Sequence, residues 1–132
     1  MKKLLLVLLA LPLIGFGQTA EDYFNKAKDY ADNGKYQLAI DNYTKCLKLE
    51  TDDANKASAY YNRGSAYDDL GNYTAAIADY TSAITINPDY AKAYANRGLA
   101  KAKSGQSSCS DYKRACDLGD EECCEWFNDQ CK

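Results

Sequence analysis

The chain has 132 residues, among them six cysteines and twelve tyrosines, with a formal charge of −3 and no histidine. An acidic chain lacks the basic face that nucleic acid or an anionic membrane requires, so neither is expected as a partner. Without histidine the commonest general base and metal ligand are missing, and no nucleophile–base pair or glycine-rich phosphate loop is recognisable, so neither enzyme chemistry nor a cofactor is expected.

Residues 1–17 read as a signal peptide. Lys2 and Lys3 give a basic start, Leu4 to Phe16 an apolar run, and Gly15 and Gly17 stand at −3 and −1 of a cut before Gln18. The run is short for a bilayer span, and no cysteine follows it to take a lipid. Cleavage would leave a single domain over 18–132, 115 residues with a charge of −5 and no integral membrane segment. An exported, periplasmic or secreted protein is therefore expected, and its cysteines are expected to pair.

From Ala20 onwards the apolar positions recur at helical spacing in three successive units: 20–53, 57–90 and 91–132. The middle unit is the clearest. One pattern runs from Tyr60 to Leu70, Gly71-Asn72 breaks it, and a second runs from Thr74 to Asn87-Pro88. Two amphipathic helices joined by a tight turn form an antiparallel hairpin. In the first unit Tyr23, Ala27 and Tyr30 stand for Tyr60, Gly64 and Tyr67, and Ala39, Tyr43 and Cys46 for Ala76, Tyr80 and Ala83. The offset is 37 residues, and the three beyond a 34-residue period are placed in a polar loop, Thr51 to Lys56. The third unit repeats Asn-Arg-Gly, but Lys101 replaces a tyrosine, which predicts a more exposed last pair. A shorter helix, Ser108 to Leu118, and a final one, Glu121 to about Gln130, complete the chain.

Tyr60, Gly64, Tyr67, Ala76, Tyr80, Ala83 and Pro88 resemble the signature of the tetratricopeptide repeat (TPR), with Arg63 where the family has leucine. The tail KRACDLGDEECCEWF also resembles the end of a Sel-one-like repeat. The resemblance implies an all-α fold: a right-handed α-solenoid of three antiparallel helical hairpins plus a C-terminal capping helix. Leu118, Trp126 and Phe127 would supply the cap's apolar surface.

Five cysteines lie between 109 and 131. Cys109 and Cys116 share a helix face but lie about 10 Å apart, too far to bridge. Folding back at Gly119-Asp120 would set Cys116 opposite Cys123 or Cys124, and Cys109 opposite Cys131, giving two disulfides. A four-cysteine zinc site would draw on the same residues, although its ligands usually come in closer pairs. Cys46 reads as a small buried apolar residue.

The family resemblance implies a concave groove lined by the first helix of each hairpin. Its positions here are Glu21, Phe24, Asn25, Lys28 and Asp32; then Ser58, Tyr61, Asn62, Ser65, Asp68 and Asp69; then Lys92, Ala95, Asn96, Leu99 and Lys103. Asn25, Asn62 and Asn96 recur at one place and either bond the backbone of an extended peptide or pack between helices. Arg63 and Arg97 are expected to cover inter-hairpin surface with their stems. Relatives that grip chaperone C-termini use a Lys, Asn and Arg set that only Asn62 and Lys92 meet here, so that ligand is not expected. The expected function is an adaptor binding a protein or peptide segment. The alternative is a thiol–disulfide participant using the cysteine-rich tail.

Overall fold

The computed structural model describes residues 17–131, so the segment read as a signal peptide lies outside them except for Gly17. Seven helices follow one another among the described residues: α1 (Ala20–Asp32), α2 (Tyr36–Leu49), α3 (Asp53–Asp69), α4 (Tyr73–Ile86), α5 (Ala91–Lys103), α6 (Cys109–Asp117) and α7 (Glu121–Gln130). Each packs on its predecessor, so α1–α2, α3–α4 and α5–α6 are stacked hairpins and α7 closes the end.

Local chemistry sets most of these boundaries. Thr19 and Asp22 form a capping box at α1, while Asp52, Asn72 and Asp120 accept from the backbone of Asn55, Ala75 and Cys123. The first helix of every hairpin, and α6, ends on a glycine with φ between 72° and 101°: Gly34, Gly71, Gly105 and Gly119. The residue after each glycine donates its N–H to the carbonyl five residues back at 2.8 to 3.0 Å, which closes the helix end as only a left-handed residue allows.

The core is built from tyrosine against alanine. Tyr43 and Tyr80 are each 1 % exposed; Tyr43 packs with Ala27, Ala39 and Ala66, and Tyr80 with Ala76 and Ala100. Gly64 and Gly98 let the paired helices approach closely. A Cβ at Gly64 would lie 3.0 Å from the Tyr80 ring, and one at Gly98 would lie 3.2 Å from the Asp111 Cβ.

Two expectations need correction. The segment Thr51 to Lys56 is mostly helix, because Asp52 caps α3 and helix begins at Asp53. The three extra residues, with a connection from α2 one residue shorter than that from α4 to α5, lengthen α3 to 17 residues, against 13 in α1 and α5. Lys101 does not mark an exposed pair either. Its ammonium reaches the buried Asp111 at 2.8 Å, and its side chain is 21 % exposed.

Candidate functional site

The residues assigned to the groove fall on α1, α3 and α5, and part of them line two separate hollows. The first, about 480 Å³, is lined by Glu21, Phe24, Asn25, Cys46, Glu50, Asn55 and Ser58. Phe24 stands edge-on to Tyr43 at 5.5 Å, which fixes the apolar side of that hollow. The second, about 470 Å³, is bounded by Tyr61, Lys92, Ala95, Asn96 and Leu99, and also by Tyr112, Asp120, Glu122, Cys123 and Trp126. Lys28, Asn62, Ser65, Asp69 and Lys103 line neither.

Between α3 and α5 the groove is tied together by polar contacts. Asn96 donates to the Tyr61 hydroxyl at 3.0 Å, and Lys103 pairs with Asp68 at 2.8 Å. Tyr80 donates to the Ser65 hydroxyl, which itself donates to the Tyr61 carbonyl, each at 3.2 Å. The Tyr61 ring stacks on Tyr90 at 5.1 Å. Burial pushes the Tyr61 and Tyr80 phenols above their usual pKa, so both act as neutral groups at physiological pH.

The three recurrent asparagines occupy different settings. Asn25 is exposed in the first hollow, Asn62 donates to the Ser58 carbonyl of its own helix at 2.8 Å, and Asn96 donates across to Tyr61. The arginines do more than cover surface. Arg63 grips Asp79 with two nitrogens, and Arg97 grips Asp111 in the same way. The Asp-Tyr dipeptides at 79 and 111, each following an Asn-Arg-Gly by the length of a turn and a half-helix, were the available signal.

Trp126, expected as apolar surface of the cap, packs on the Tyr112 ring of the last hairpin at 4.2 Å and also walls the second hollow, a role not expected of it from the sequence. The spacing of Cys123 and Trp126 puts both on one helix face and could have revealed this. α7 is therefore the next groove-lining helix after α3 and α5. It is anchored to α6 by Cys116–Cys124, and Cys109–Cys131 joins the start of α6 to the residue just after α7. Those sulfurs are bonded to each other, so none offers zinc a thiolate. Cys46 and Cys123 remain as buried thiols, and burial, followed by the carboxylate of Asp120, pushes Cys123 up to about 12.

Models of the tetratricopeptide repeat match residues 57–90 and 20–53, about half of the 132 residues. Comparison with curated protein sequences finds no match. Among solved structures, the chain is similar to the first TPR of Spaghetti (RPAP3) bound to the HSP90 peptide SRMEEVD. The TM-score is 0.74 at 30% identity, over 85% of this chain and 92% of that one. The second TPR domain of human RPAP3 in complex with the HSP70 peptide SGPTIEEVD gives 0.71 at 28% identity, over 86% and 98%. MamA gives 0.70 at 30% identity, over 76% of this chain and 58% of that one.

Proposed function

The chain belongs to the tetratricopeptide repeat family, and from that premise we propose that it is an exported, non-catalytic adaptor that binds an extended protein segment in its groove. The observation that carries this reading is the second hollow, where three alternate helices, α3, α5 and α7, present Tyr61, Leu99 and Trp126 to one space. Leu99 and Trp126 are 42 % and 37 % exposed and line the same hollow, so together they offer a partner an apolar surface. Peptide-bound neighbours of the same fold support the binding mode. Their acidic C-terminal peptides are not carried over, because Phe24, Lys28 and Asn96 replace the Lys, Asn and Arg of that grip.

Export is supported by the basic and apolar character of residues 1–17 and by four cysteines in disulfides, which persist in an oxidising compartment. The thiol–disulfide alternative gains nothing from Cys123, a buried thiol with a raised pKa and hence few thiolates.

A photo-reactive benzoylphenylalanine at the position of Leu99, compared with one at Leu38, tests the groove. Leu38 is equally exposed, at 44 %, but lies on α2 outside both hollows. A discrete crosslinked species from Leu99 alone is expected, and equal yields from both positions would refute groove binding. N-terminal sequencing of the protein from fractionated cells should begin at Gln18. An intact Met1 in the cytoplasmic fraction would refute export.

A further inference from the structure

We infer that the groove selects a cationic segment carrying a bulky apolar side chain, a partner class opposite in charge to the acidic peptides held by its structural neighbours. This inference rests on the groove reading above and adds the chemistry of the occupant. Four carboxylates line the two hollows, Glu21 and Glu50 in the first and Asp120 and Glu122 in the second, against the single cation Lys92. Among the described residues no salt bridge neutralises any of these five groups. Lys103, the other groove cation on α5, is already paired with Asp68.

The apolar part of the second hollow's lining is Ala95, Leu99, Tyr112 and Trp126, and Glu122 from the first turn of α7 lines it as well. A helix N-terminus would ordinarily draw an anion, but the Asp120 carboxylate already accepts from the Cys123 N–H at 3.0 Å and occupies that end. An aromatic or leucine side chain entering the hollow would leave flanking lysines or arginines close to Asp120 and Glu122, which no salt bridge neutralises. An acidic segment would meet the same carboxylates as repulsion.

Trp126 is the chain's one tryptophan and stands in the wall, so its fluorescence reports occupancy directly. The oxidised protein is titrated with two end-blocked pentapeptides, Gly-Lys-Phe-Lys-Gly and Gly-Glu-Phe-Glu-Gly, at low and high salt. The lysine peptide should shift Trp126 emission and bind about tenfold or more tighter at low salt, with the gap closing as salt screens the charges. Glu122→Lys, checked for intact helix content by circular dichroism, should narrow the preference. Equal binding, or tighter binding of the glutamate peptide, would overturn the charge inference and leave groove binding standing. If neither peptide moves Trp126 up to millimolar concentration, the groove reading itself fails and this inference with it.

Discussion

Arg63 on α3 clasps Asp79 on α4 through two parallel hydrogen bonds, Nε to Oδ2 at 2.7 Å and Nη2 to Oδ1 at 2.8 Å. Its remaining nitrogen, Nη1, donates to the Thr44 hydroxyl of the preceding hairpin at 3.0 Å. Arg97 repeats the arrangement with Asp111 and with Thr81. Each arginine therefore joins three helices, two within its hairpin and one behind it.

Removing the acid alone should leave a guanidinium without its partner in a largely closed site. Asp79→Ala is expected to cost about 3 kcal/mol, the low end for a broken buried pair, since Arg63 remains partly exposed. Replacing both residues with apolar ones should recover most of that loss. Urea denaturation of the single and double variants measures both, and a double variant no better than the single would show that the pair contributes more than charge compensation.

Gly64→Val should destabilise by more than about 2 kcal/mol, because even the first added carbon meets the Tyr80 ring and the Asp79 Cβ. A loss well below about 1 kcal/mol would mean that α3 and α4 separate more easily than their packing implies.

Acid should act through Asp111. Burial works to raise its pKa, but Arg97 and Lys101 outweigh burial and hold it below the ordinary 3.8. A group depressed in the folded state stabilises the fold above its unfolded pKa and loses that contribution as pH falls through the folded value. The thermal midpoint of the wild type should thus fall more steeply below about pH 4 than that of Asp111→Asn. Parallel slopes would remove Asp111 as the cause.

The disulfides should matter locally. Cys123 is the one buried residue of α7, and only it, Phe127 and Trp126 add apolar contact with α6 to what the bridges supply. Closing the 22-residue separation between Cys109 and Cys131 corresponds to about 3 kcal/mol in chain entropy. Reduction is expected to strip α7 of hydrogen-exchange protection while α3 and α4 keep theirs. Alkylation of the unfolded, unreduced chain should label two thiols, Cys46 and Cys123. Four or more labelled thiols would contradict the pairing.

Much of the fold could be read from residues that act locally. The glycines at 34, 71, 105 and 119 and the caps at Thr19, Asn72 and Asp120 announce helix ends whatever surrounds them. What escaped the reading depends on tertiary partners. Asp79 and Asp111 look like ordinary solvated acids until an arginine 16 or 14 residues earlier is brought beside them. Trp126 reads as cap material, which it is, but only the turn at Gly119 decides that its helix also lines the groove. The same limit applies to the asparagines: identical register did not predict that Asn62 bonds its own helix while Asn96 reaches another.

The three-helix reach of the arginines makes the solenoid extensible. In the first hairpin of the described residues, Lys26 and Asn42 occupy the places of Arg63 and Asp79, and Asn42 bonds back to Leu38. Residues 57–90 contain a clasping arginine, its aspartate, and in Thr81 the hydroxyl that the following arginine uses. A tandem copy of that segment inserted after Tyr90 would begin on alanine as α5 does. It would find Thr81 waiting behind it and present its own threonine to Arg97. Length can thus be added at this joint one unit at a time, with each new unit bringing the contacts that its neighbours on both sides require.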